Sequence, residues 1–522
     1  MSSLRATLGE VPFTVDDVDA LARAPATLDL SESARAAVTG AHAVVQRYAA
    51  GDEPVYGLNT GLGANLAFRV DRDEIAAFQE QLVWGRVIGV GEPLPEVVCR
   101  AALVVRCIGL SRGGAGVSPA LLDLLRAMVE RGVTPVIPRR GSIGAGDLGL
   151  AAHMAAVAIG RGEAWHDGRR MPGDAALAAA GLAPARLVGR DGHALCNTSS
   201  VSTAHAALTL ADAARLMVFS AHAAALACEG FGVNVSTFDA RIAALRPAAR
   251  QEDAAALFRR LLDGSSLRDA PPRRVQDPLS FRCLAQVVGV ALHALAEARR
   301  EVEAELAGTA DSPVVLSGGR MSSTTNFHTP ALAFVFDGLA IAHAQLAAAS
   351  FQRVARLLDP ALTGLPGYLS PVGGGSAGFV PVQKLCASLV GEVRLRATPA
   401  SLDAMPVSDA VEDVAPQTPL TIGKLAEQLE PLRMLSAVEA LVAAQAVDLR
   451  GGARLGAPTQ RLYDAVRSVA EPLEVDREPA SDLERVVALA ADVELLGALA
   501  SSLDGLGVPC VPRFSAVEAS DE

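Results

Sequence analysis

The stretch Leu435-Ser-Ala-Val-Glu-Ala-Leu-Val-Ala-Ala-Gln-Ala-Val-Asp-Leu-Arg-Gly-Gly452 carries Leu435, Val438, Leu441, Val442, Gln445 and Leu449 at steps of three and four residues. That spacing places them on one face of an α-helix, and the glycines at 451 and 452 supply its stop. Val288, Leu292, Leu295, Val302 and Leu306 draw a second stripe beside Glu297, Arg300 and Glu301, and it ends at Gly308. Abundant alanine favours long helices packed closely together. Alternating strand patterns are scarce. The sequence therefore predicts a mainly α fold, a bundle of long helices with short β pieces.

Composition bounds the function. The chain has 522 residues, half of them hydrophobic, which is enough to bury a large core and excludes a disordered or collagen-like chain. A net charge of −12 lacks the basic footprint of a nucleic-acid binder. Seven dispersed cysteines without a CxxC pair read as reduced thiols of a cytoplasmic protein, and no His or Cys spacing suggests a metal. The N-terminus lacks a signal-peptide pattern. The most apolar stretches, Leu148–Gly160 and Leu216–Cys228, fall short of the roughly 20 residues that span a bilayer and read as buried helices.

Pro- and Gly-rich loops punctuate the helices at Pro54–Gly63, Pro135–Gly149, Ala270–Pro278, Asp359–Gly378 and Ala397–Pro419. Long irregular segments in a helical protein are usually functional or mobile. A boundary near residue 205 would separate a loop-rich part, 1–205, from a long-helix part, 206–522. Asp482–Leu489 looks helical and suggests a closing cap in the last seventy residues. Gly373–Gly378 matches GxGxxG by letters, but no strand precedes it, so it reads as a tight loop rather than a nucleotide site.

Two other loops carry more. In Tyr56-Gly-Leu-Asn-Thr-Gly-Leu-Gly63 a tyrosine leads a glycine-rich run. Such a loop either carries a phenol into a cleft or is a surface turn with one packed tyrosine. Gly141-Ser-Ile-Gly-Ala-Gly-Asp-Leu148 runs into a helix containing His153, and its small residues allow close backbone approach.

With Asn197, Val275-Gln-Asp-Pro-Leu-Ser-Phe-Arg-Cys283, Asn326-Phe-His328 and Glu412-Asp413, these loops occur in an order that resembles histidine ammonia-lyase and the wider aromatic amino acid lyases and aminomutases. The likeness runs from about residue 50 to residue 452. It implies a mainly helical homotetramer whose active sites combine loops from several subunits, and a reaction that eliminates an amine from the α-carbon as the β-carbon loses a proton. By motif match it implies Tyr56 as the catalytic base and Arg282 as a bidentate holder of the substrate carboxylate. It also implies Asn326 on the carboxylate side, Asn197 on the leaving-group side, and Glu412 near the ring or amine.

The departures from the family pattern cluster on the same site. The family's Ala-Ser-Gly triad cyclises and dehydrates into an electrophilic methylidene-imidazolone; here Gly144-Ala145-Gly146-Asp147 is one residue short and has no serine. That prosthetic group is therefore expected to be absent, and no other cofactor is expected. Arg86 stands where relatives keep a histidine, Leu279 where they keep a tyrosine, and Ala410-Val411 where they keep Asn-Gln.

An α-amine leaves poorly unless the methylidene captures it. A trimethylammonium has no lone pair for capture and needs none, since it departs as neutral trimethylamine. The expected reaction is thus trimethylamine elimination from an aromatic betaine, as in ergothionase, which acts on ergothioneine. Arg86 would then be a positive neighbour of the Tyr56 phenol, whose ordinary pKa is about 10, or a ligand of the thioimidazole. Lys384 would donate to the ring, or else is a surface lysine lying along its helix. Trp84 is a cation–π partner or a core tryptophan. His153 and His193 read as structural. The open alternatives are an ammonia-lyase or aminomutase acting on histidine, a related amino acid or another betaine, and a non-catalytic ligand-binding homologue.

Overall fold

The computed structural model describes residues 3–65, 67–402, 405–409, 411–452 and 454–519; Ala410, one of the departures above, lies outside them. Six helices organise it: α1 (Leu148–Ala158), α2 (Ser200–Phe231), α3 (Leu284–Ala307), α4 (Pro330–Leu357), α5 (Val382–Arg396) and α6 (Thr418–Arg450). Helix α2 lies against α6, α4 packs on α6, and α3 and α5 flank α4. The mainly α architecture matches the expectation.

Local chemistry explains the two central helices. Pro419 opens the first turn of α6, where a missing N–H costs nothing, and Gly451 closes it at φ 63°. Helix α2 ends on Gly232 at φ 76°, with the amides of Gly232 and Val233 both donating to the Cys228 carbonyl. Their contact depends on small residues: a Cβ on Gly230 would stand 2.9 Å from the Ala446 Cβ and 3.0 Å from the Ala443 carbonyl oxygen. Gln445, the polar member of the α6 stripe, is buried with its amide satisfied. It donates to the carbonyls of Leu369 and Leu473 and accepts from the Leu473 amide at 2.8 Å. Helices α2 and α4 are long and apolar enough to cross a bilayer, but their most apolar windows are 83% and 56% buried inside the fold, as core helices are.

One hydrophobic core runs from Ala6 to Cys510, and residue 205 falls inside α2. The division near residue 205 is therefore a change in loop content, not a break in packing. Strand β1 (Leu4–Leu8) pairs in parallel with β2 (Ala26–Leu30) and antiparallel with β3 (Val517–Ala519), which joins the two ends of the chain. Helices Ala457–Val469, Ala480–Leu489 and Val493–Ser501 pack on α2 and α6. The Gly373–Gly378 loop uses its amides within the chain: Ala377 and Gly378 donate to the Asp476 carboxylate at 2.7 and 3.0 Å. Trp84 is not a core residue. It is 49% exposed with the Arg161 guanidinium 5.1 Å over its ring.

Between α4 and α6, Arg353 and Glu439 form a buried ion pair, and Ser350 Oγ donates to the same carboxylate at 2.6 Å. Removing one partner strands the other charge. Glu439→Ala should therefore lower unfolding stability by about 3–5 kcal/mol in denaturant titration, and a loss below about 1 kcal/mol would show that the pair is dispensable.

Candidate active site

A cavity of about 690 Å³ opens where the Tyr56 loop, the Gly141–Asp147 loop, the Asp191–Asn197 segment and the Ser408–Glu412 turn converge. Tyr56, Arg86, Asn197 and Glu412 all line it. Four residues chosen from separate motifs thus come together in one chain.

The Tyr56 loop is held by its own polar groups. Asn59 is buried, accepting from the Val55 amide at 2.8 Å and donating to the Glu53 carbonyl at 2.9 Å. A small apolar cluster of Val45, Val55, Leu58, Val70 and Ile75 lies beneath it. The Tyr56 hydroxyl accepts from the Gly63 amide at 3.2 Å. Of the two readings of this loop, the structure shows the tyrosine lining a cleft.

The second loop is pinned through Asp147, which is buried. Its carboxylate accepts from the Ser202 amide and hydroxyl, both at 2.7 Å, and from Ser142 Oγ at 3.2 Å. Burial raises the Asp147 pKa, and these donors oppose that rise. Gly144 and Gly146 adopt φ of 83° and 77°, a left-handed turn that glycine tolerates and that displays Ala145 to the cavity. Asn197 donates to the Ser312 carbonyl at 2.8 Å, which fixes its amide. Arg86 donates to the Leu82 carbonyl at 3.1 Å and is half-buried at the cavity wall. Glu412 is half-buried, within a turn closed by the Val407–Glu412 bridge.

Three predicted residues stand outside this chain's cavity. Arg282 is exposed and donates to Gln276 Oε1 at 2.6 Å; Lys384 is exposed on α5; Asn326 is exposed and donates to the Thr309 carbonyl at 3.1 Å. Leu279 shares the short helix of Arg282 and is 67% exposed. Sequence reasoning gave His193 a structural role, yet it lines the cavity; Phe327 and Ser312 also line it and were missed. Phe327 stands inside the quoted Asn-Phe-His motif, so the signal was one residue from the candidate chosen. His153 does not line the cavity. Among the described residues no group of three or more His, Cys, Asp or Glu is arranged to hold a metal, and all seven cysteines are free.

A phenol, a guanidinium and a carboxylate line one cleft on a long-helix bundle, and the family and relatives that the chain matches make it a carbon–nitrogen lyase. The family model for aromatic amino acid lyases matches residues 13–468, and the chain belongs to that family. It is 37% identical to the histidine ammonia-lyase of Stigmatella aurantiaca over 97% of this chain and 100% of the relative. Among solved structures it resembles the ergothioneine-degrading enzyme ergothionase from Treponema denticola, bound to desmethyl-ergothioneine sulfonic acid. That match has a TM-score of 0.90 and 31% identity, over 94% of this chain and 99% of that one. Histidine ammonia-lyase from Trypanosoma cruzi superposes with a TM-score of 0.88 at 29% identity, over 98% and 96% of the two chains.

Behind the cavity, Glu305 accepts from Ser199 Oγ at 3.1 Å. Burial, with the Asp147 charge adding to it, raises its pKa to about 7. The folded state holds this proton more tightly than the unfolded chain does. The resulting stability is complete below about pH 4.5 and is lost as pH rises through about 7. In Glu305→Gln, unfolding free energy should lack that decline; a variant with the same pH dependence as the parent would assign the titration to another group.

Proposed function

We propose that this lyase eliminates trimethylamine from an aromatic betaine, with ergothioneine as the best candidate and thiourocanate as the second product, and that it does so without a methylidene-imidazolone. The observation that carries the reading is the turn at Ala145. The family's group needs a serine between the alanine and the glycine, and here Ala145 is bonded directly to Gly146. The nearest serine, Ser142, already uses its hydroxyl on the Gly146 carbonyl, the Asp147 carboxylate and the Gly144 amide. The residues present do not fit the prosthetic group.

In this reading the Tyr56 phenolate takes the β-proton, the C–H electron pair becomes the Cα–Cβ double bond, and the Cα–N bond breaks to release neutral trimethylamine. The β-proton reaches solvent through the phenol. Arg86, which lines the same cavity, is a ligand for the substrate's ring. Glu412 faces the quaternary cation, and Lys384 donates to the thioimidazole as charge moves into the ring. A cytoplasmic enzyme would accord with seven free thiols. The likeness to histidine ammonia-lyases keeps ammonia release from histidine as the second reading.

Incubation with ergothioneine, hercynine and histidine should release trimethylamine from a betaine and produce the absorbance of a conjugated acrylate. Intact mass should equal the sequence mass. Ammonia from histidine alone, or a mass lower by two waters, would overturn the proposal.

The exposed positions of Arg282 and Lys384 support a homotetramer with shared active sites, in which neighbouring copies supply these side chains. Apolar residues exposed on the long helices, among them Phe334 at 74% and Leu395 at 72%, offer the surface such copies would cover. Tyr56→Phe and Arg282→Met should each lose about 10²- to 10⁴-fold in kcat/KM. Co-expressed, the two chains should recover a substantial fraction of activity by forming some intact sites. Recovery no greater than the sum of the two single variants would place both residues in one subunit's site.

A further inference from the structure

His193 takes no part in the elimination as proposed, yet it is only 1% exposed and its ring meets both the cavity and the Tyr56 loop. Its Nδ1 lies 3.0 Å from an Arg190 guanidinium nitrogen. A guanidinium only donates, so Nδ1 is the acceptor and the proton of the neutral ring sits on Nε2. Arg190 is itself buried. It also donates to the carbonyls of Ala115, at 2.5 Å, and Ser312, at 3.1 Å, so it cannot swing away cheaply. Burial, together with the charges of Arg190 and Arg86, pushes the His193 pKa well below the usual imidazole value.

The imidazole touches the loop on two sides. Its ring and that of Tyr56 stand edge to face, with centroids 5.5 Å apart at 78°. It also covers Gly57 so closely that a Cβ there would stand 2.6 Å from the imidazole Cγ. The main chains are coupled as well. Gln79, fully buried, accepts from the His193 amide at 2.8 Å and donates to the Gly57 carbonyl at 2.9 Å. By contrast, the Tyr56 phenol has one hydrogen bond among the described residues, from the Gly63 amide. The loop beyond it carries glycines at 57, 61 and 63, whose backbone freedom would let the phenol wander.

We propose that His193 is the positioning residue for Tyr56: a platform tethered by Arg190 through its ring and by Gln79 through its backbone, on which the Tyr56–Gly57 peptide rests so that the phenol stays aimed into the cavity. The proposal rests on Tyr56 acting as the base. Displacement of a catalytic group by about 1 Å can cost about 10²-fold in rate.

The test compares His193→Leu with His193→Gln in the full-length protein. Glutamine keeps a flat amide that accepts from Arg190; leucine keeps bulk alone. Hydrogen exchange of the substrate-free protein should be about tenfold faster over residues 57–63 in His193→Leu, with α1 and α2 unchanged. On whichever substrate is turned over, kcat should fall by about 10- to 100-fold with KM within about twofold, and His193→Gln should recover most of the loss. Because exchange is read without substrate, a wrong substrate assignment leaves that result standing. Unchanged exchange over 57–63, a glutamine variant no better than leucine, or a raised KM at constant kcat would each overturn the proposal. If His193→Leu does not fold, Gln79→Met severs the backbone tether alone and should loosen the same residues; unchanged exchange there would equally overturn it.

Discussion

Asp147 joins the floor of the cavity to the core. Its buried carboxylate caps the N-terminus of a 32-residue helix through the Ser202 amide and hydroxyl, and it holds Ser142 of the site loop with the same oxygens. A carboxylate is favoured at that end of a helix because free amides and the helix dipole converge there. The turn at Gly144–Gly146 is thereby referenced to a helix buried along most of its length. Whatever Ala145 meets in the cavity, it meets from a fixed position.

Around that anchor lie two buried guanidiniums, those of Arg106 and Arg190. Arg106 binds Asp311, 2.7 Å away, and also reaches Thr198 beside Asn197. Arg190 and Asn197 share the Ser312 carbonyl. Each cation beneath the cavity thus has an anion or a carbonyl, as buried charge requires. The side chains that line the cleft are held by backbone and charge on the side away from solvent. This explains how a loop-rich region presents a defined site: its loops are short spans between fixed polar contacts. The cation Arg86 and the carboxylate Glu412 line one volume.

The helices were legible because their stripes repeat at the helical period and end at glycines, and Gly308 and Gly451 do terminate α3 and α6. The loops were legible because rare residue types stood in one order. What periodicity missed is instructive. Gln445 sat in an apolar stripe because it bonds a chain segment twenty-eight residues on, at Leu473. Trp84 looked like core because tryptophan usually is, but here a guanidinium covers part of it. His193 looked structural because one imidazole in an apolar helix usually is.

The sequence by itself determined the helix bundle and the family, because both are written in local spacing and in the order of rare motifs. Tertiary structure alone decided which candidates meet. Tyr56, Arg86, Asn197 and Glu412 converge from segments up to 356 residues apart, while Arg282, Lys384 and Asn326 remain on the outside. Convergence depends on long-range packing, and no local pattern encodes it. The same holds for His193: its neutral state and its place under Gly57 follow from Arg190, Gln79 and burial, which exist only once the chain has folded.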